Sequence, residues 1–313
     1  MIISASRRTD IPAFYSDWFM NRVEQGFLLT RNPFNYNQIS RVSLKPSDVD
    51  AIVFWTRNAR RIMPSLNVLD SKGMQYYFQY TVTGYPRLIE RSVPQPREAI
   101  RTFIELSVRL GAGRVIWRYD PILLSNLVSI HEHKRLFSKI AGMLAGYTDL
   151  VVVSFADFYE KTNKNLAKVP GLIFSDVLAQ QNELLDLVDF MVRTASDNGM
   201  KIESCAEEID MSALGIPHGK CIDDQRLRKL FNIASRQIKD PGQRLACGCV
   251  KSIDIGMYNT CLHGCSYCYA TFDHDKTLAQ RKQHDPMSPF LIGGVEGVPE
   301  HLLYVDPPQG SLF

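Results

Sequence analysis

All seven cysteines of the chain fall between Cys205 and Cys268, and the last three, within DIGMYNTCLHGCSYCYA (Asp254 to Ala270), are spaced C-x3-C-x2-C. Three thiolates on one tight loop, Cys261, Cys265 and Cys268, can ligate three corners of a [4Fe-4S] cluster and leave the fourth iron open for chemistry. Gly264 lets the loop turn where a Cβ would crowd the cluster, and Tyr267 sets an aromatic ring beside the last ligand. The competing chemistry is structural zinc, with His263 or Cys249 as a fourth ligand, although such sites usually show paired C-x2-C units rather than one uneven triplet. Cys205, Cys221, Cys247 and Cys249 make a second set, sufficient for an auxiliary all-cysteine iron-sulfur cluster or a zinc site. Their ordinary alternative is burial as small hydrophobes. An auxiliary site requires the segment from Cys221 to Cys249 to fold toward Cys205, which follows one strand while Cys249 precedes another.

Those residues must be positioned by secondary structure. Eight short β-branched or aromatic runs can be read: Ile2 to Ser6, Phe27 to Thr30, Ala51 to Thr56, Gln75 to Thr81, Arg114 to Tyr119, Leu150 to Phe155, Lys201 to Cys205 and Ile253 to Tyr258. Helical periodicity fills most gaps, at Ala13 to Gln25, Arg97 to Leu110, His131 to Leu144, Asn182 to Asn198 and Asp223 to Ile238. This α/β alternation predicts a parallel (β/α)8 barrel of the TIM type over residues 1–270, with a C-terminal helix (Phe272 to Gln283) and irregular tail in 271–313. Functional groups of such a barrel sit just after its strands. The residues there are Arg7, Arg8 and Asp10, then Arg31 and Asn32, Arg57 and Asn58, Thr83, Arg118 and Asp120, Asp157, and Glu207 and Glu208. Converging arginines point to a ligand carrying carboxylate or phosphate, and Arg8, Asp10, Arg57, Arg118 and Asp120 are the candidate catalytic residues.

Composition narrows the classes. A chain of 313 residues that is 45% hydrophobic and 22% charged is neither disordered, collagenous nor coiled coil. The balance of 36 basic and 33 acidic residues gives +3, so any basic footprint must be local. An odd number of late, clustered cysteines is no disulfide framework. Arg7-Arg8 is followed by TDIPAFYSDW rather than an apolar stretch, and no apolar run approaches the ~20 residues that span a bilayer. The expectation is a cytoplasmic protein, without a membrane partner, whose thiols are reduced or metal-bound.

The triplet, with an aromatic before its third cysteine, resembles the signature of the radical S-adenosylmethionine (SAM) superfamily, and the YCYA ending is similar to that of spore photoproduct lyase and its relatives. From SRRTDIP through the cysteine motif the chain also resembles a family of uncharacterised bacterial proteins catalogued as a domain of unknown function. The superfamily resemblance implies that Cys261, Cys265 and Cys268 bind the cluster, that its open iron chelates SAM, and that reductive cleavage yields a 5′-deoxyadenosyl radical. It further implies that Tyr267 lies near the adenine, and that a small electron donor such as flavodoxin or ferredoxin is a partner. The substrate would be anionic, with nucleic acid as a candidate class. The superfamily motif follows the first barrel strand, whereas here it follows the eighth, so the resemblance implies a circular permutation. The usual Gly-Gly-Glu is replaced by Ser6-Arg7-Arg8-Thr9-Asp10, which makes Arg7, Arg8 and Asp10 candidates for holding the methionyl end of SAM. The alternative is a zinc-stabilised barrel acting as a non-redox hydrolase or binding module, with Asp10, Asp120 and Glu207 as acid or base groups. Finally, Gln309, Leu312 and Phe313, after the Pro307-Pro308 spacer, are similar to a bacterial sliding-clamp-binding peptide, which would bring the enzyme to DNA; the competing expectation is a tail packed back by Leu312 and Phe313.

Overall fold

Runs rich in valine, isoleucine, tyrosine and phenylalanine form the strands, as side chains that fit a pleated, buried surface do. The computed structural model describes residues 1–205, 207, 209–233 and 238–304, so Glu208 and the expected clamp-binding residues Gln309, Leu312 and Phe313 lie outside the described residues. The strands are β1 (Ile2–Ala5), β2 (Phe27–Asn32), β3 (Asn35–Ser43), β4 (Ala51–Thr56), β5 (Tyr76–Thr81), β6 (Val115–Ile122), β7 (Leu124–Ser125), β8 (Leu150–Phe155), β9 (Phe174–Ser175), β10 (Lys201–Ser204) and β11 (Ile253–Asp254). Seven of them make one parallel sheet, ordered β10-β8-β6-β5-β4-β1-β11. The long helices Ser16–Gln25, Pro96–Leu110, Ile130–Leu144 and Gln181–Asp197 alternate with the strands in sequence. Among the described residues, no helix is long and apolar enough to cross a membrane.

The expected closed eight-stranded barrel is corrected in two places. First, β2 does not enter the ring: it pairs antiparallel with β3, from Phe27↔Ser43 to Asn32↔Asn35, as a separate hairpin. Its partner is polar and largely exposed along its length, which a strand buried on both faces of a parallel sheet cannot be. Second, β11 is two residues long rather than six; Asp254 pairs with Ser4 in the ladder, and its carboxylate accepts Ser4 Oγ (2.6 Å), Ser6 Oγ (2.7 Å), the Arg7 amide (2.8 Å) and the Gly256 amide (3.0 Å) where the chain leaves the sheet. The sheet therefore stays open, with β10 and β11 at opposite edges.

Alternating residues bury both faces. Ile3, Ile52, Phe54, Phe78, Trp117 and Val151 belong to the main core, where Trp117 stacks on Phe137 of the Ile130–Leu144 helix at 4.9 Å. Ile2, Val53, Tyr77, Ile116 and Val152, on the other face, pack with Cys221, Ile222, Leu227, Cys247, Cys249 and Val250. Cys221, Cys247 and Cys249 thus help to cover the sheet's second face. The expected helix Ala13 to Gln25 is broken at Tyr15 into Ile11–Phe14, capped by Asp10, and Ser16–Gln25. The expected helix from Asp223 stops at Phe231, where Asn232 turns left-handed with φ 56°.

His133, fully buried on Ile130–Leu144, sits between the Tyr119 hydroxyl (3.0 Å from Nδ1) and the Leu123 carbonyl (3.1 Å from Nε2). Burial pushes its pKa down to about 4 from 6.5. The unfolded chain therefore binds a proton below pH 6.5 that the folded chain refuses until about pH 4, so stability is lost as pH falls through that window. The expected loss is roughly 3 kcal/mol at pH 4 relative to pH 7. Thermal unfolding scans from pH 7 to 4 check this, and His133→Gln should flatten the profile; an unchanged slope in that variant would refute the assignment.

Candidate functional site

One cavity of about 360 Å³ is lined by all seven cysteines together with Arg7, Arg8, Asp10, Arg57, Arg118, Asp120 and Tyr267. Every residue singled out as catalytic, cofactor-binding or metal-ligating meets there. Asn58 and Thr83 are not among its lining residues, and Arg31 and Asn32 line a neighbouring groove.

The triplet loop is held from two sides. Ser92 N donates to the His263 carbonyl (2.9 Å), Ser266 N donates to the Ile89 carbonyl (2.9 Å), and Glu90 forms an antiparallel bridge with Cys265, so the loop adds itself to residues 89–92 like a short strand. Within it, Cys268 N donates to the Cys265 carbonyl (3.1 Å), Thr271 N donates to Cys268 Sγ (3.3 Å), and Gly264 takes φ +63°, which favours glycine. The three thiols are free. Burial pushes Cys265 up to about 12 against the pull of Arg57, and burial with the nearby Asp10 charge raises Cys261 well above the ordinary thiol range.

Asp10 is the loop's main anchor. Oδ1 caps Ile11–Phe14 through Ala13 N (2.9 Å) and accepts Thr56 Oγ1 (2.8 Å); Oδ2 accepts Arg57 N (2.7 Å) and His263 Nε2 (2.8 Å). Both oxygens are filled by the protein itself. His263 is likewise engaged, with Nδ1 3.4 Å from the Ser92 carbonyl, so it serves the loop as a tether and is not free as a fourth zinc ligand. A second buried network fixes the aromatic residue: Glu90 accepts from Tyr267 Oη, Arg57 Nη1 (2.8 Å) and Thr83 Oγ1 (2.7 Å), while Arg57 Nη2 also meets Tyr267 Oη. Glu90 was not expected from the sequence. It lies in a loop with no recurrent spacing, and only its proximity in space reveals its role.

The second cysteine set also converges. Cys205 Sγ lies 2.9 Å from Cys221 Sγ, whose backbone carbonyl accepts from Tyr77 Oη (2.5 Å) and Gln79 Nε2 (2.9 Å) of β5. Ile222 N donates to Cys249 Sγ (3.4 Å), and thiol hydrogen bonds join Cys221 to Cys249 and Cys249 to Cys247. Hydrogen bonds from its neighbours and the charge of Arg7 hold Cys249 far below the usual thiol range, while Cys205 falls to about 7 through its bond to Cys221. Arg118 Nη1 donates to Cys221 Sγ (2.7 Å) and its Nε forks onto Asp120 at 3.1 and 3.0 Å. The sulfurs form a string rather than a tetrahedron, and among the described residues no three His, Cys, Asp or Glu side chains close into a ready-made metal cage.

The N-terminal segment locks onto the cysteine motif through the Asp254 bonds described above. Any Cβ at Gly256 would overlap Ser6 Oγ, so that glycine is required by contact rather than by turn geometry. Arg7 lies over the Trp55 ring at 5.2 Å, and its buried Nη2 has no hydrogen-bond partner among the described residues. Arg8 lies over Tyr258 at 5.3 Å with its side chain 26% exposed.

Among known proteins, a family described as "Domain of unknown function (DUF1848)" matches residues 2–270. No curated protein matches the chain. A solved structure described as "a putative alpha-L-fucosidase" from Bacteroides thetaiotaomicron VPI-5482 is similar at 11% identity and a TM-score of 0.27, over 70% of this chain and 81% of that one.

Proposed function

The chain belongs to the DUF1848 family, and from that premise we propose that it is a radical SAM enzyme acting on an anionic substrate. The observation that carries the reading is a C-x3-C-x2-C loop that follows an edge strand of a parallel sheet and opens on the cavity where the strand-end arginines and acids meet. β11 lies at one edge of the open sheet beside β1, and the permuted strand order that the superfamily resemblance implies is part of this proposal.

The donor set fits the cofactors. Cys261, Cys265 and Cys268 supply three soft ligands, and the Thr271 amide at Cys268 Sγ is the kind of bond that tunes a cluster. The orphaned Nη2 of Arg7 suits the carboxylate of a bound SAM, with Arg8 beside it. When bound, the cluster and SAM together supply one-electron cleavage of the sulfonium and a 5′-deoxyadenosyl radical. The protein's part is to orient and to exclude water. Asp10 positions His263 and the Arg57 backbone rather than touching SAM. Glu90 and Arg57 fix the ring of Tyr267 for an adenine, and Arg118, paired with Asp120, donates to Cys221 of the second cysteine set. Cys205, Cys221, Cys247 and Cys249 form a buried thiol set suited to an auxiliary iron-sulfur cluster or zinc. Flavodoxin or ferredoxin would deliver the electron.

The test is anaerobic purification with iron reconstitution, which should give brown protein with about 4 Fe per chain, or about 8 if the second set binds a cluster. The reduced EPR signal should change on adding SAM, and 5′-deoxyadenosine should appear. Colourless zinc protein with no SAM-dependent signal would overturn the reading in favour of a zinc-stabilised hydrolase or binding module.

A further inference from the structure

A larger groove, about 1040 Å³, adjoins the cysteine-lined cavity and shares Arg8, Arg244 and Tyr269 with it. Its charges are arranged in an unusual way: cations lie on ring faces. Arg8 lies over Tyr258 (5.3 Å), Arg31 over both Tyr36 and Phe290 (4.4 Å each), Lys161 over Phe272 (4.1 Å) and Arg244 over Tyr159 (5.3 Å). Lys276 adds a fifth cation, and Glu160, which Lys164 already binds at 2.5 Å, is the one carboxylate on the wall. Arg244 also pairs with Asp157 (2.7 Å), and Arg31 donates once to the Tyr36 carbonyl (3.3 Å). In a chain of net charge +3, this groove is a local basic footprint. At its rim the turn of the β2-β3 hairpin presents Phe34, 93% exposed, and Tyr36, 60% exposed.

We infer that this groove binds a single strand of nucleic acid, with phosphates on the cations and unpaired bases against the exposed rings of Phe34 and Tyr36 at its rim, and leads it to the cysteine-lined cavity. Interleaved cations and aromatic faces are what strand-binding channels use, because every base has a π-face and every nucleotide a charge. A duplex keeps its base faces stacked on one another, so ring stacking favours an unpaired strand. An acidic peptide would satisfy the cations but leave the rings unused. Three of the groove's four amides are engaged within the protein: Asn32 holds Gln38 (2.7 Å) and Phe34 N (2.9 Å), Asn259 Oδ1 accepts Phe272 N (2.9 Å) and Asp273 N (3.1 Å), and Gln280 faces the carbonyls of Tyr258 and Asn259. Recognition through phosphates and ring stacking is expected to tolerate changes of sequence and of sugar. What happens to the strand at the cavity rests on the radical SAM reading; binding in the groove does not.

The experiment is fluorescence anisotropy of the full chain with labelled 15-nucleotide dT and rU strands and with a duplex of the same length. The dT and rU strands should bind within about threefold of one another, the duplex at least tenfold more weakly, and log K should fall with log salt at a slope of about −3, from about −0.7 per phosphate neutralised. Phe34→Ala, an exposed site whose loss spares the fold, should weaken binding by roughly 5- to 100-fold. Lys276→Glu should weaken it and make the slope shallower. Absence of binding at low salt, duplex binding as tight as single strand, or indifference to both substitutions would overturn the inference. Strand binding with no 5′-deoxyadenosine formed would sink the enzyme reading and leave the groove standing.

Discussion

On the proposed radical SAM reading, Cys265→Ala is expected to remove SAM cleavage altogether, with 5′-deoxyadenosine formation falling at least 10³-fold, about 4 kcal/mol of lost barrier reduction, and reconstituted iron falling by about 4 per chain. The reason is positional. Cys265 is the middle thiol of the triplet and the residue that bridges to Glu90, so no neighbouring sulfur replaces it. The fold itself should survive, since removing one sulfur costs about 1 kcal/mol when no metal is bound, a few degrees in Tm for a chain of this size. Cys205→Ala provides the contrast: it should change the iron or zinc count while leaving the SAM-dependent EPR change in place. Iron analysis, EPR and product assay on the two variants make the comparison, and retention of both iron and product in Cys265→Ala would overturn the cluster assignment.

The second large effect concerns a residue that touches no cofactor in this account. Asp10→Ala is expected to cost about 4 kcal/mol or more, lowering Tm by roughly 10 °C. The substitution deletes a helix cap and leaves the Arg57 amide, the Thr56 hydroxyl and the His263 ring without their acceptor in a buried site. Asp10→Asn should fall in between, because Oδ1 can still cap while an amide nitrogen now faces two donors. Because His263 lies between Cys261 and Cys265, the same variants should lose iron to a chelator faster than wild type. Calorimetry and chelation kinetics test both; a Tm within about 3 °C of wild type would refute the anchoring role.

Much of the fold was legible because period and composition speak directly where a strand is buried on both faces. Ala51–Thr56 and Leu150–Phe155 appear at the boundaries their apolar runs suggest. Closure was not legible. It depends on whether Ile253 to Tyr258 stays extended, and the chain leaves the sheet at Asp254, whose four donors come largely from residues some 250 positions earlier. The hairpin was missed because β3 is polar enough to read as loop. In the site, the cysteines and strand-end arginines could be named from spacing and position. Which of them are free could not, since that depends on partners such as Glu90 and on the Thr83 and Thr56 hydroxyls, none of which carries a spacing signal. The sequence also left open whether Cys221 to Cys249 could reach Cys205; burial of Ile222, Leu227 and Val250 against Val53 and Ile116 is what brings the segment there.

The pairing of β1 with β11, Ile3 to Ile253 and Ser4 to Asp254, has a consequence for how the protein is made. During synthesis from the N-terminus, β1 can zip to β4 early, but its other edge stays unpaired until residue 254 has emerged. The contact closes a loop of about 250 residues, among the costliest in loop entropy and the slowest to form. The cysteine loop therefore reaches a scaffold that is already standing, and under the proposed cluster reading metal loading would come last in maturation rather than nucleate the fold.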